Sequence, residues 1–518
     1  MRELIAALIL ISLVASCSSA AYLINGDFGR LEVRSLELAQ GNGRISAIIY
    51  IPKGVEKVPA AVLVHGVSSS KESMSAIALE LARRGVASLC IDAHGHGDSG
   101  GYLNLSSDPT LGLSVALDYL RLQPFVDRGS TALVGHSLGA SAVRSSADRG
   151  AVAHVLIGGG ASSRSAALGN ATFPRNLLIV VGRGDVLFDL ERLKDELVPT
   201  FGSEVEVGRV YGDFGRGTAR KLAVPATTHL LEPYDLTTVS EVVDWVLRSV
   251  GRGFEVRGLV YPYRDLLMLV SLLSLLLLIF PISSALLKGG EIEEPEASLR
   301  KALVAWGLPS FLLFFPSFLI GLAIPFPPAL FANSIAIWFS LSSAYGLLLG
   351  RKRLIRPRFG LSDLSVSIAI FLVMYSVISS LKLVYGMNLW LYVPLLRTLD
   401  LRRALLLLYL LPFSLCFFYA ESLLLVGRSL AKLLCVRLLP MSSALLLQYA
   451  SIFAFNFKLL PSLLGFSLEF LPLMLPLFAL STAVIWWFRK LGSPSAAMLV
   501  NSLVFSWASA SVFPFGGL

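Results

Sequence analysis

TALVGHSLGA, residues 131–140, places Ser137 between Gly135 and Gly139. A β-branched and apolar run leads into the serine, and a small-residue run with helical character follows it. The pattern predicts a strand, a sharp turn and a helix. A serine hydroxyl becomes a useful nucleophile only where it stands clear of the backbone, and a side chain at either glycine would collide across so tight a turn. The stretch therefore predicts a nucleophile at Ser137.

Composition divides the 518 residues into two unlike halves. With 55% hydrophobic residues and a mean hydropathy of +0.70, the chain is too apolar for an ordinary soluble protein of its size. Residues 1–262 hold 25 Lys and Arg against 26 Asp and Glu, whereas residues 263–518 hold 19 against 9. The basic excess belongs to the apolar half, where positive charge is typical of cytoplasmic loops and not of a nucleic-acid surface. The four cysteines form neither a disulfide framework nor a metal-binding spacing.

Residues 1–21 have the pattern of a targeting segment, with Arg2 ahead of an apolar run that extends from Leu4 to Ala15. Such a segment is a secretory signal or an uncleaved membrane anchor, and either predicts that the domain after it is exported. Residues 14–17, VASC, resemble a lipobox, which would make Cys17 a lipidated N-terminus. A cysteine that merely lies near an ordinary cleavage site is the alternative.

Short apolar strands alternate with helical stretches between residues 31 and 250, which predicts a mostly parallel sheet covered by helices. Residues 31–38 and 45–51 are predicted to form a leading antiparallel pair. The later predicted strands are 60–65, 86–92, 131–135, 154–157 and 177–181, and the predicted helices are 71–84, 110–123, 189–198 and 235–250. These elements make up one α/β domain.

This region resembles the alpha/beta hydrolases, among them enzymes similar to dienelactone hydrolases, acylaminoacyl peptidases and lysophospholipases. The resemblance rests on five motifs in chain order, namely VLVHG at 62–66 followed by SSSKE at 68–72, DAHGHGDSG at 92–100, the Ser137 turn, GRGD at 182–185, and His229. In such enzymes the catalytic residues follow one another as serine, acid and histidine. The resemblance thus implies acyl transfer through a serine nucleophile.

His229 is the predicted base, because the other histidine after Ser137, His154, lies at the start of a strand too soon after the turn. Asp185 is the predicted acid, since it follows the strand at 177–181 within a Gly-Arg-Gly turn. Asp189 and the more distant Asp213 are alternatives, and Asp185 could instead cap the following helix.

The predicted oxyanion donors are the backbone N–H of Leu138 and, as the resemblance implies, that of Val67. His65 is interpreted as a structural loop residue. His94 and His96 lack further nearby ligands, so no metal is predicted there. The glycines at 158–160 lack the helix-starting fingerprint of a dinucleotide site, so no cofactor is predicted.

Residues 263–518 are predicted to form a helical transmembrane domain of about eight spans. The spans lie near 266–287, 302–325, 327–350, 361–385, 404–427, 441–463, 465–488 and 494–516. If the preceding domain is outside, 13 Lys and Arg fall inside and six outside, in agreement with the positive-inside rule. The six outside are Arg264, Lys382, Arg397, Arg402, Arg403 and Lys458, of which the three at 397–403 leave open a re-entrant or missing span near 387–396.

The sequence as a whole predicts a serine hydrolase in the cell membrane, with an extracytoplasmic α/β domain and a small acyl ester or a peptide as substrate. Ester hydrolysis is the leading reaction, and peptide or thioester cleavage is the alternative. Only residues 161–176 are available for a cap, so the pocket is expected to be open, with the bilayer surface as a possible source of lipid ester. The rival hypothesis makes the membrane half a transporter or lipid-handling module, with Glu421 as its candidate residue and the hydrolase-like domain as a regulator.

Overall fold

A nine-stranded sheet forms the centre of the N-terminal half of the chain, with the strand order β1-β2-β4-β3-β5-β6-β7-β9-β8. The strands are Leu31–Gln40, Gly43–Pro52, Val58–Val64, Ala87–Ile91, Val126–His136, Ala153–Ile157, Leu177–Val180, Val210–Tyr211 and Arg220–Ala223, as β1 to β9. This computed structural model describes residues 1–40, 43–160, 168–253, 258–287, 289, 298–350, 359–386, 388–389, 395–424, 429–455, 458, 460 and 462–517.

The six neighbouring strands β4, β3, β5, β6, β7 and β9 are parallel, and antiparallel pairs flank them at both edges. The predicted leading pair is confirmed, because β1 and β2 pair antiparallel along their full lengths. Every other predicted strand is present. The short edge strand β8 and its partner β9 were not predicted, since both are brief and neither carries a long apolar run.

Helices cover both faces of the sheet, as the alternating pattern predicted. Their bounds are Ser75–Ala82, Leu113–Leu122, Leu138–Ser145, Leu190–Phe201 and Leu236–Ser249, as α2 to α6. Residues of α3, α4 and α5 share one apolar core, whereas α2 and α6 belong to another core that continues into the C-terminal helices. The N-terminal half therefore has the α/β-hydrolase fold, packed directly against the C-terminal half.

Most of the remaining helices are long and apolar. They are Arg2–Asn25 as α1, then Tyr261–Leu277, Ile279–Leu286, Leu299–Ala302, Leu308–Leu322, Ala332–Gly350, Leu361–Tyr385, Leu401–Leu424, Leu430–Phe455, Ser462–Leu468, Leu471–Lys490 and Pro494–Val512, as α7 to α17. Among the described residues, eight helical stretches are long and apolar enough to cross a membrane, seven of them after residue 260 and the eighth α1 itself. This is the helix content of a membrane protein.

Two predicted spans have different bounds in the structure. The span placed at 441–463 overlaps only the second half of α14, which begins at Leu430 and ends at Phe455. The span placed at 465–488 is divided, because α15 ends at Leu468 and α16 begins at Leu471. Pro472 stands in the first turn of α16, where its missing N–H costs nothing.

Helix α1 packs antiparallel against α7. The hydroxyls of Ser18 and Ser271 lie 2.8 Å apart, and the buried Asn25 at the end of α1 accepts a hydrogen bond from Arg264 near the start of α7. Asn25 also accepts from Tyr50 of strand β2, at 3.1 Å. The targeting segment is thus packed into the fold at both its middle and its C-terminal end.

The six cations assigned outside by the charge count all contact the α/β half, and we call them the docking cations. Arg402 donates to the carbonyls of Ser99 and Gly101, and Arg403 donates to that of Gly97. Lys382 and Arg397 pair with the Asp98 carboxylate at 2.9 and 2.6 Å. The remaining two reach carbonyls elsewhere, namely Arg264 that of Ser75 and Lys458 those of Val186 and Phe188.

These contacts account for the cations that broke the charge pattern, since Arg397 to Arg403 bind the loop at 97–101. Most of the proposed re-entrant span, residues 387 and 390–394, lies outside the described residues. One cation counted inside needs correction. Arg437 lies within α14, buried, where its Nε forms an ion pair with Glu421 at 2.8 Å. Glu421 also accepts a hydrogen bond from the indole of Trp306, so the carboxylate that the rival hypothesis singled out has two structural partners.

Candidate active site

Ser137 lies in the turn between β5 and α4, with φ 54° and ψ −113°. This left-handed conformation is strained for a serine and is the geometry expected of a nucleophile on a sharp strand-to-helix turn. A Cβ added to Gly135 would lie 2.2 Å from the carbonyl oxygen of Gly139. A Cβ added to Gly139 would lie 2.2 Å from the carbonyl oxygen of Val64. Both glycines are required for the steric reason that the sequence suggested.

Three predicted side chains form one hydrogen-bonded chain. The Ser137 hydroxyl lies 2.9 Å from His229 Nε2, and His229 Nδ1 lies 2.8 Å from Asp185 Oδ2. Each residue follows the carboxyl end of a parallel strand, β5, β7 or β9, and such ends meet at one edge of the sheet. The sheet thus brings together residues that are 48 and 44 positions apart along the chain.

Asp185 is well placed to orient the imidazole. Its Oδ1 accepts the backbone N–H of Leu187 at 2.7 Å, which leaves Oδ2 for His229. Burial lowers the pKa of His229, but the Asp185 carboxylate outweighs burial and leaves that pKa above its usual value. The two alternative acids are engaged elsewhere, because Asp189 caps α5 through Arg192 N and Asp213 accepts from Arg216 N.

The two predicted oxyanion donors lie beside the serine. Leu138 is the first residue of α4, so its N–H is among those left without a partner inside the helix. Val67 lines the same cavity as Ser137, and a Cβ placed on the preceding Gly66 would be 3.0 Å from Ser137 Cβ. Both N–H groups are therefore within the immediate surroundings of the nucleophile.

A second carboxyl group, Glu232, lies behind the histidine and was missed by the sequence analysis. It is fully buried, accepts from Gly182 N at 2.6 Å, and approaches His136 Nε2 at 3.3 Å. Burial and the Asp185 carboxylate raise the pKa of Glu232 well above its usual value. Its position three residues after His229, in the same 3-10 turn, is the signal that could have found it.

His136, His229 and Glu232 each place one ligand-type atom within 4.8 Å of the others. Such a set could hold a metal ion, but both nitrogens of His229 are already taken by Ser137 and Asp185. A metal at this position would dismantle the hydrogen-bonded chain. The donor set therefore fits a metal poorly.

The histidines of the two glycine-rich loops have structural partners. His65 Nδ1 lies 2.7 Å from the Gly66 carbonyl oxygen, and His65 Nε2 accepts from Ala93 N at 3.1 Å. Burial lowers the pKa of His65 to about 4, so it is neutral. His94 pairs with Asp108 at 3.3 Å, and His96 Nδ1 lies 3.0 Å from the His94 carbonyl oxygen.

The C-terminal half supplies one wall of the site. A cavity of about 540 Å³ beside Ser137 and His229 is also lined by Phe466, Glu469 and Phe470, from α15 and the break before α16. The rings of His229 and Phe466 meet edge to face at 6.2 Å. This segment therefore forms a wall of the pocket that the sequence did not predict.

Glu469 is held at the edge of this cavity by two hydrogen bonds. Its Oε1 accepts from the Tyr449 hydroxyl at 2.8 Å, and its Oε2 accepts from Leu230 N at 3.4 Å. Glu469 lies between the two halves and also faces the candidate base. Within the segment available for a cap, residues 161–167 lie outside the described residues and 168–176 hold neither helix nor strand.

Comparison with known proteins agrees with this architecture. The model of the Alpha/beta hydrolase family matches residues 61–276. This part of the chain is therefore an alpha/beta hydrolase domain, which supports a hydrolase activity.

Solved structures with a similar domain include the esterase Pf2001 of Pyrococcus furiosus, 16% identical with a TM-score of 0.33, where the match covers 43% of this chain and 95% of the esterase. An alpha-beta serine hydrolase homologue from Coxiella burnetii is 17% identical with a TM-score of 0.33, and the match covers 42% of this chain and 96% of that protein. No curated protein matches the sequence significantly.

Proposed function

We propose that this protein is a membrane-bound serine hydrolase that cleaves an acyl ester through Ser137, His229 and Asp185. The observation that carries the proposal is the hydrogen-bonded chain from the strained serine through the histidine to the buried aspartate. Asp185 accepts from Nδ1–H and so leaves Nε2 free to accept the proton of the serine hydroxyl. Peptides and thioesters are the alternative substrates, because the same chemistry serves each leaving group.

The reaction proceeds in two balanced halves. Ser137 Oγ forms a bond to the acyl carbon while His229 Nε2 takes the hydroxyl proton, and the N–H groups of Val67 and Leu138 stabilise the resulting oxyanion. The bond to the leaving oxygen then breaks, and His229 returns the proton to the alcohol. In the second half water attacks the acyl carbon while His229 takes a proton from the water. The bond from the acyl carbon to Ser137 Oγ then breaks, His229 returns the proton to Oγ, and the carboxylic acid leaves.

A fluorophosphonate that labels activated serines tests this proposal. The native protein should be labelled, and Ser137→Ala should not. The control is Ser141→Ala, which lies one turn further along α4 and leaves the nucleophile in place. Equal labelling of native protein and Ser137→Ala, or none of either when both are folded, would exclude the proposed nucleophile.

We also propose that the chain is a multi-pass protein whose hydrolase domain faces away from the cytoplasm. All six docking cations lie on the side of the α/β half and contact it. They are therefore not free loop charges that would mark this side as cytoplasmic. A membrane-impermeant fluorophosphonate should therefore label intact cells. Labelling that appears only after lysis would reverse the orientation and leave the enzyme assignment standing.

The packing of α1 against α7 supports retention of residues 1–21 as an anchor and not as a cleaved signal. Cleavage after this segment would remove the Ser18 partner of Ser271 and the helix that carries Asn25 to Arg264. The intact mass of the purified protein should therefore include residue 2. A mass that begins after residue 21, or a lipid adduct on Cys17, would contradict retention.

A further inference from the structure

A second cavity lies next to the catalytic one, inside the helical bundle. It is lined by α11, α16, α17 and Leu395. Among the described residues of its wall, only Ser509 and Trp338 carry polar side-chain atoms, and the Trp338 indole donates to the Ser310 carbonyl. The space is therefore suited to a hydrocarbon chain and unsuited to a polar headgroup.

Phe470 is the partition between the two cavities, since it lines both. Its ring packs 5.4 Å from that of Phe466 on the catalytic side and 5.2 Å from that of Phe331 on the bundle side. Phe470 is thus the side chain that separates the two spaces. Phe470 also marks the start of α16, so the second cavity extends from the level of the catalytic pocket into the bundle.

The depth of the second cavity can be read along α16. Met474 and Leu477 line it below Phe470, and the seven helical steps from Phe470 to Leu477 span about 10 Å. Phe505 and Ala508 line the facing side from α17. The cavity is thus an elongated apolar space that begins at the catalytic pocket.

We propose that this cavity binds the acyl chain of the substrate, so that the protein hydrolyses long-chain acyl esters whose carbonyl lies at Ser137. This inference rests on the proposed function and adds to it the substrate class. Each methylene that enters the cavity from water contributes up to about fourfold to the specificity constant. A soluble ester with a short acyl chain fills the catalytic pocket alone and forgoes this contribution.

The test compares kcat/KM for p-nitrophenyl acetate, butyrate, octanoate and laurate, each below its micellar concentration, with the purified full-length protein. The native protein should prefer octanoate over acetate by roughly tenfold or more. Met474→Trp should abolish that preference and leave acetate turnover within about twofold, because a filled cavity excludes the chain and spares the triad. Leu477→Trp, one turn deeper, should shorten the preferred chain less.

Leu446→Trp is the matched control, since this leucine on α14 is 70% exposed and lies outside the cavity wall. Labelling by a short-chain fluorophosphonate shows that each variant is folded and keeps its nucleophile. A native preference for acetate, or equal losses on all esters in Met474→Trp with labelling retained, would overturn the acyl-chain cavity alone. Failure of the native protein to hydrolyse any ester and to be labelled would overturn the proposed function, and the cavity assignment with it.

Discussion

The two halves of the molecule contribute to the candidate site in different ways. In the α/β half, Ser137, Asp185 and His229 each lie just beyond a parallel strand, where the sheet imposes their proximity. In the helical half, Phe466 and Glu469 reach the same cavity from a break between two helices. The first half supplies chemistry common to many substrates, whereas the second shapes the space that a substrate must fit. Substrate choice is therefore expected to depend on the half that carries no catalytic motif.

The largest effect is predicted for Asp185→Asn, which changes the catalytic chemistry of the α/β half. An amide in place of the carboxylate cannot hold the His229 tautomer that accepts from Ser137, so kcat should fall by about ten-thousandfold. The same change at Asp189, which caps α5, should leave kcat within about threefold, since asparagine caps as well as aspartate. Ester turnover by the purified variants is the measurement.

Equal losses of kcat in Asp185→Asn and Asp189→Asn would show that Asp185 is not the catalytic acid. Asp189, the alternative that the sequence left open, would then be the candidate again. A loss in Asp213→Asn would do the same for the more distant candidate. The Asp185 variant should still pack normally, because its Oδ1 contact with Leu187 N can be kept by the amide oxygen.

The next largest effect is predicted for the stability of the protein, when a contact between the two halves is removed. Arg397 is buried and pairs with Asp98, which also pairs with Lys71 and Lys382 at 2.9 Å. Burial raises the pKa of Asp98, but these three cations outweigh it and hold that pKa well below its usual range. Arg397→Ala removes one member of a buried network and should lower the free energy of unfolding by about 3–5 kcal/mol.

The control for this prediction is an exposed pair on the α/β half. Arg44 and Glu37 lie 3.2 Å apart with both side chains more than half exposed, so Arg44→Ala should cost less than about 1 kcal/mol. Thermal unfolding of the full-length protein in detergent measures both. Equal midpoints for the two variants would show that the Asp98 network does not hold the halves together.

The α/β half was predictable because its signals are local. A β-branched run, two obligatory glycines and a histidine that was the sole candidate by elimination are all read from the chain, and Ser137, His229 and Asp185 meet in the structure as that reading required. Glu232 escaped although it lies only three residues after His229, because its burial depends on contacts with Gly182 and His136, which are close to it only in the folded structure.

The helical half was predictable in composition and not in contacts. Hydropathy located the helices, but no period or motif distinguishes a cation that docks on Asp98 from one that faces water. The apparent violation of the charge rule at Arg397 to Arg403 was the one available sign that these side chains had a partner. The contribution of Phe466 and Glu469 to the site could not be predicted, since an aromatic residue and an acid near a helix break are equally typical of a membrane interface.

The smallest predicted effect is on the pH dependence of kcat/KM, because a carboxylate of the helical half influences the pKa of His229. His229 acts as a base only when neutral, and its raised pKa means that kcat/KM should fall on acidification at a higher pH than an ordinary imidazole would give. The Glu469 carboxylate from the helical half contributes to that rise. Burial raises the pKa of Glu469 itself to about 7, so only part of its charge remains over the acid limb. Glu469→Gln removes that charge, and the acid limb of the pH profile should therefore move to lower pH by less than about one unit.

The control substitution is Glu241→Gln. Glu241 lies on α6 and its carboxylate pairs with Lys221 at 2.6 Å, so its replacement should leave the pH profile unchanged. The direction of the shift is the decisive reading, because loss of a merely structural hydrogen bond to Tyr449 would lower the rate at every pH without moving the limb. An acid limb that moves to higher pH in Glu469→Gln would mean that the helical half does not act on the histidine by charge. In that case its part in the site would be confined to the shape of the pocket.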